Sequence, residues 1–255
     1  MPRDRAPVRV LVLAGTAEAT ELVGRLAADP AYDVTASLAG HTRTPASLPC
    51  PVRTGGFGGV DGLVAALRDG GFGALIDATH PFAAVMPHHA AAAAEVALVP
   101  RVRLLRPPWE PQEGDHWVEV DDLAGAAAAL GTLGARRVLL TTGRLELAPF
   151  AAVDGAHMVV RTIEPPDPLP LASATVVLDR GPYTVPGDIA LLREHAVDAL
   201  VTKNSGGSAT AAKLTAARSL GLPVVMVGRP PQPPGPTVAT AADAEAWLAA
   251  VSSGG

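Results

Sequence analysis

The chain has 255 residues, 48% of them apolar, with 20 Lys and Arg against 25 Asp and Glu for a formal charge of −5. With only 18% charged residues it is too apolar for disorder, so its 26 Gly and 25 Pro punctuate elements, and the length suits one large α/β domain or two small ones. Mild acidity without a basic run excludes sequence-independent nucleic-acid binding, and no apolar run reaches the roughly 18 residues of a membrane helix.

Residues 8–13 form a β-branched and aliphatic run ending in Ala14-Gly15-Thr16, and 18–28 carry apolar residues at helical spacing. A strand, a tight turn and a helix are predicted there. Strands follow at 34–38, 74–77 and 99–105, with helices at 60–68 and 82–96. This alternation predicts a parallel, doubly wound sheet. The Pro-rich segment beginning at Arg106 breaks the pattern. Beyond it come strands at 137–141, 158–163, 175–179, 199–202 and 224–227, with helices at 123–133, 145–150, 187–195, 209–220 and 241–251. The expected division is an N-terminal lobe over 1–106, a crossover over 107–120 and a C-terminal lobe over 121–255: two Rossmann-like lobes with a cleft between them. The Pro-rich stretch 229–236 reads as a rigid surface loop before the last helix.

The first residues, Met1-Pro2-Arg3-Asp4-Arg5, lead directly into a strand-like run rather than a signal segment, so cytoplasmic residence is expected. Cys50 stands alone, which excludes a disulfide within the chain. His88 and His89 lack companions at metal-ligand spacing, so no metal site is expected.

Ligands of doubly wound sheets bind beyond the carboxyl ends of the strands, which directs attention to the turns there. Gly15-Thr16-Ala17-Glu18 combines a glycine, a hydroxyl and the free amides of a helix start, a seat for phosphate, although Thr16 as a simple helix cap explains the turn equally. The three spaced glycines of the dinucleotide fingerprint are absent. Where NAD enzymes hold ribose with a carboxylate after the second strand, this chain has Ser37 followed by His41 and Arg43, a set that accepts a 2′-phosphate and so leans toward NADPH. Asp77-Ala78-Thr79-His80-Pro81-Phe82 closes another strand, with Asp77 suited to holding the turn and His80 to facing the cleft.

In the second lobe, Arg144 and Arg180 each sit just past a strand, where a guanidinium can grip a carboxylate. Thr202-Lys203-Asn204-Ser205-Gly206-Gly207-Ser208 is the densest turn, an anion or carboxylate cradle whose glycines are expected to open a helix. Lys213 lies more than one turn into that helix, either reaching back to the cradle or solvated. The chain has 18 Arg but only two Lys, Lys203 and Lys213, and both fall at this turn.

Taken in one order along the chain, Leu13-Ala-Gly-Thr-Ala-Glu-Ala19, Ile76-Asp-Ala-Thr-His-Pro-Phe-Ala83, Arg106-Pro-Pro-Trp109, Thr142-Gly-Arg144, Thr202-Lys-Asn-Ser-Gly-Gly207 with Lys213 and Ala217-Arg218, and Leu222 to Pro230 resemble the precorrin-6A reductases of cobalamin biosynthesis. Ala14 departs from the pattern, since a second Gly is common there. The resemblance implies two Rossmann-like lobes and NADPH-dependent reduction of one carbon–carbon double bond of the precorrin-6A macrocycle, giving precorrin-6B. It implies that Gly15, Thr16, Ala17 and Glu18 border the dinucleotide, that Ser37, His41 and Arg43 meet its adenosine end, and that Thr79, Pro81 and Phe82 meet its nicotinamide side. Arg144, Asn204, Ser205, Gly206, Gly207 and Lys213 are implied to face the acetate and propionate groups of the substrate, with Lys203 and His80 as the candidate catalytic residues. Other corrin-pathway enzymes are implied as partners. Two alternatives stay open: an NADP-dependent reductase of another small substrate, against which the missing Tyr-x-x-x-Lys pair counts, and a non-catalytic two-lobe binding protein.

Overall fold

The structure, a computed structural model, describes residues 6–40 and 47–253. The chain divides into two compact units, one comprising residues 1–107 and 230–255 and the other residues 108–229.

The first unit is built on strands β1 (Val8–Leu13), β2 (Tyr32–Leu38), β3 (Val52–Thr54), β4 (Ala74–Asp77), β5 (Arg101–Leu104) and β12 (Thr237–Val238). All pair in parallel, in the order β3-β2-β1-β4-β5-β12. This is the doubly wound order, with its reversal between β1 and β4. Side chains alternate along β1, so Val10 and Val12 pack on the face covered by α1 (Ala17–Ala27) and α7 (Ala241–Ser253). Leu11 and Leu13 pack on the opposite face, under α2 (Gly59–Asp69) and α3 (Met86–Ala97).

The second unit repeats the plan. It contains β6 (His116–Val120), β7 (Arg137–Leu140), β8 (His157–Thr162), β9 (Ala174–Leu178), β10 (Ala199–Lys203) and β11 (Pro223–Val227). Its order is β9-β8-β7-β10-β11-β6, again parallel throughout. Helices α5 (Val185–Glu194) and α6 (Ala212–Ser219) bury Leu192, Leu214 and Ala217 against one face, and α4 (Leu123–Leu133) packs against β6 and β11.

The two α/β lobes were legible in the sequence, but the division falls elsewhere. The segment expected as crossover, 107–120, contains β6, the edge strand of the second sheet. The expected second lobe of 121–255 ends instead at Arg229, because β12 pairs with β5 and Ala241, Ala244 and Leu248 of α7 complete the first core. The stretch 229–236, expected as a rigid surface loop before the last helix, is the return path to the first unit. Arg101 Nη2 donates to Pro234 O at 2.7 Å and fastens that path to β5.

Several helix starts also move. The helix expected from residue 82 begins at Met86, because His80 forms a turn: its carbonyl accepts Ala83 N–H at 2.8 Å and its Nδ1 accepts Phe82 N–H at 3.2 Å. The helix expected from residue 209 begins at Ala212, because a turn precedes it in which Ser208 O accepts the Ala211 N–H at 3.2 Å; Gly206 and Gly207, expected to open the helix, stand outside it with left-handed φ of 69° and 81°. The helix expected over 145–150 is a 3₁₀ turn at Ala148–Ala152.

Candidate active site

In the first unit the carboxyl ends of β1, β2, β3 and β4 surround a cavity of about 830 Å³ whose lining includes Gly15, Ser37, Gly40, Phe57, Thr79 and His80. It lies where the strand order reverses, the usual ligand position of such sheets. Thr16 caps α1, accepting Ala19 N–H at 3.1 Å, and its own hydroxyl donates to Ala78 O at 3.2 Å, so the turns after β1 and β4 are tied together. A Cβ built on Gly15 would meet no atom within 4 Å, so the backbone faces open space beside the helix start. Such a floor, with the amides of α1 behind it, fits the phosphates of a dinucleotide. Glu18 is drawn aside, pairing with Arg106 at 2.7 Å. Ala17 is exposed in the first turn of α1.

Ser37 is buried at the end of β2 and receives Arg53 Nη1 at 3.4 Å. The Arg53 guanidinium also donates to Gly55 O and Gly56 O, and it lies 3.7 Å from the centre of the Phe57 ring. Arg53 was missed because β3 is only three residues long, too short for any periodicity, yet it stands beside the cavity wall with the chemistry expected of Arg43. His41 and Arg43 lie outside the described residues.

At the end of β4, Asp77 is fully buried and pairs with Arg103 of β5 at 2.7 Å. Its other oxygen accepts the Thr79 hydroxyl at 2.7 Å and the Thr79 N–H at 3.1 Å. Burial lowers the pKa of the neighbouring Arg101 guanidinium from its usual value; the Asp77 charge opposes this and the Arg103 charge adds to it. Thr79 and His80 line the cavity, and the His80 and Phe82 rings lie 6.1 Å apart at 45°. Pro81 belongs to the same turn.

The second unit gathers most of the expected substrate-facing residues around Trp109. Asn204 grips the Trp109 backbone in both directions, its Oδ1 accepting N–H at 2.7 Å and its Nδ2 donating to the carbonyl at 2.9 Å. The indole N–H donates to Gly207 O at 2.8 Å, and Lys213 Nζ lies 4.7 Å from the ring centre while donating to Thr210 O. Lys213 is only 4% exposed and stands at the second position of α6, so it is neither solvated nor deep in the helix. Arg229 donates to Asn204 O and Ser205 O, holding the backbone ahead of Gly206. Lys203 ends β10 with its Nζ 2.5 Å from Glu146, and Arg144, on the same turn as Glu146, lies 3.5 Å from Glu164. Trp109 and Arg229 lay within segments shared with the resembled family, but their turn chemistry gave no separate signal.

Arg180 is exposed just after β9. Its neighbours Asp179, Pro182 and Tyr183 border a cavity of about 360 Å³, where buried Arg161 pairs with Asp188 and lies 4.0 Å from the Tyr183 ring centre. Burial pushes the Tyr183 phenol upward, with Arg161 opposing and Asp179 reinforcing the shift. Among the described residues no group of three or more His, Cys, Asp or Glu is placed to hold a metal ion, and no helix is long and apolar enough to cross a membrane.

A family model described as precorrin-6x reductase CbiJ/CobK matches residues 9–249. The chain belongs to this family. A precorrin-6A reductase of Rhodococcus erythropolis is 47% identical over 241 residues, covering 94% of this chain and 97% of that protein. A precorrin-6A reductase of Rhodobacter capsulatus is also 47% identical, over 242 residues, covering 94% and 96% of the two chains. A solved structure described as CobK precorrin-6A reductase superposes with a TM-score of 0.90 at 46% identity, covering 96% of this chain and 97% of that one. A more distant relative from Methanothermobacter thermautotrophicus, 30% identical over 89% of this chain and 78% of its own length, is a cobalt-precorrin-6A reductase.

Proposed function

We propose that this precorrin-6x reductase family member uses NADPH to reduce one carbon–carbon double bond of precorrin-6A, giving precorrin-6B in cobalamin biosynthesis. Family membership over nearly the whole chain carries the reading, and the relatives at 47% identity are both precorrin-6A reductases. The cobalt-precorrin name occurs at 30% identity, which favours the metal-free macrocycle as substrate here. Cytoplasmic residence belongs to the same reading.

The first-unit cavity suits the cofactor. Its volume is in the range of sites for molecules of this size, Gly15 leaves the helix start open, and the buried end of β2 carries Ser37, bonded to Arg53 of β3, in place of a carboxylate. Gly15, Thr16, Ala17 and Glu18 would border the diphosphate. Ser37, Arg53 and, beyond the described residues, His41 and Arg43 would meet the phosphorylated ribose, with Thr79, Pro81 and Phe82 on the nicotinamide side. The cofactor when bound supplies hydride chemistry.

Reduction also requires a proton at the neighbouring carbon and carboxylate grips on the macrocycle. Lys203 and His80 are the candidates for the proton, Lys203 with Glu146 at hand as an internal acceptor. Arg144 and Lys213 supply positive charge for acetate and propionate groups, while Asn204, Ser205, Gly206 and Gly207 form the turn that orients them. Incubation with precorrin-6A and NADPH tests the reading: reduced-nicotinamide absorbance should fall in step with the macrocycle spectrum. NADPH consumption with simple carbonyl substrates but not with the macrocycle would overturn it.

A further inference from the structure

The part of the cavity wall that Thr79 contributes is backed by a buried charge pair. Asp77 Oδ2 takes Arg103 Nη1, and Asp77 Oδ1 takes both the hydroxyl and the N–H of Thr79. Arg103 is 1% exposed, and its Nε and Nη2 have no hydrogen-bond partner among the described residues, so Asp77 is the group there that compensates its charge. A carboxylate accepts hydrogen bonds and cannot donate them. The Thr79 proton is therefore committed to Asp77, and what the hydroxyl offers the cavity is lone pairs. Thr79 follows β4, across the switch point from Ser37 at the end of β2, which is the half of a doubly wound site opposite the adenosine ribose.

We propose that Arg103 and Asp77 are positioning residues that fix Thr79 as a hydrogen-bond acceptor toward the cavity, and that Thr79 thereby selects a nicotinamide carboxamide, an N–H donor, over a carboxylate in the same place. A carboxamide N–H satisfies the oxygen. A carboxylate sets lone pairs against lone pairs and lies nearer the Asp77 charge. The selection rests on NADPH being the cofactor, as proposed above, and adds the residue that reads its nicotinamide.

Calorimetric titration of the full-length protein with NADP⁺ and with its nicotinic-acid counterpart tests this without turnover. Wild type should prefer the carboxamide by about tenfold or more, the effect of one hydrogen bond. Thr79→Val, which keeps the branched shape, should bring the ratio near one, and Thr79→Ser should keep it. Asp77→Asn, whose amide can donate to the hydroxyl, should also shrink the ratio. If that variant does not fold, the Val and Ser pair decides. A wild-type ratio near one, or a ratio unchanged in Thr79→Val, overturns the selection while leaving NADPH as cofactor. Failure of wild type to bind either dinucleotide overturns the cofactor reading and the selection with it.

Discussion

At Gly15 the chain needs a residue that leaves room, and the cost of changing it falls on binding more than on folding. Its φ of 156° strains an L side chain by about 1 kcal/mol, yet the space beside it is open, so a substituent would project where the diphosphate is proposed to lie. Gly15→Val should weaken NADPH binding at least tenfold by fluorescence titration while the unfolding midpoint drops only slightly; parallel loss of both would place the effect in the fold. Lys203→Ala should separate the other way. Turnover should fall by roughly 100-fold, the scale of a general acid, with the NADPH dissociation constant nearly unchanged. Equal loss of both would remove Lys203 from the reaction. The sequence marked these positions because strand-end turns are where polar residues gather, but it did not show their partners. Lys213 looked solvated or cradle-facing because an apolar face cannot be inferred for a lysine in an alanine-rich helix; the Trp109 ring that covers it is 104 residues away in sequence.

Among the elements, the strands were the most legible, since buried parallel strands read as continuous aliphatic runs. Helix starts were less so, because the turns at His80 and at Ser208 engage backbone amides that the apolar pattern alone assigns to helix. Strand β6 was hidden for a different reason. It is an edge strand with an exposed face, and its place is fixed by charge as well as by hydrophobicity: Arg218 of α6 donates to both oxygens of Asp115, at 2.8 and 3.0 Å, just before β6. Burial alone would raise the Asp115 carboxyl, but the Arg218 and Gln112 hydrogen bonds and the Arg218 charge outweigh it and hold the group below the usual carboxylate range. A depressed carboxylate adds stability that is present above the unfolded value of about 3.9 and is lost as pH falls through the lower folded value. Asp115→Asn should therefore cost about 1–2 kcal/mol at neutral pH. Urea unfolding of the two proteins should show the gap closing as pH is lowered toward and below 4 (approximately, by the same carboxylate titration). A gap independent of pH would mean that packing, not charge, secures β6.

Across the whole molecule, the two sheets share one strand order, and each takes its sixth strand from the chain just after it has passed from the other unit: β6 after 107 and β12 after 229. Sequence periodicity registers elements but not the unit to which a returning segment belongs, which is why the last helix was assigned to the wrong lobe. Leu248 of α7 is fully buried in the first core, so Leu248→Ala should destabilise by about 2–5 kcal/mol and should impair NADPH binding along with it. Differential scanning calorimetry with and without NADPH checks this; if the ligand-stabilised transition is untouched, α7 does not support the cofactor unit. The return of β12 and α7 also sets an order of events during synthesis. The second unit is continuous in sequence and can close once residue 229 has left the ribosome, whereas the first waits with the β5 edge and one face of its core uncovered until the last residues emerge. A chain that stops early should thus pair a finished second unit with an unsealed first one, and the aggregation hazard of a truncated product should lie in the half that was made first.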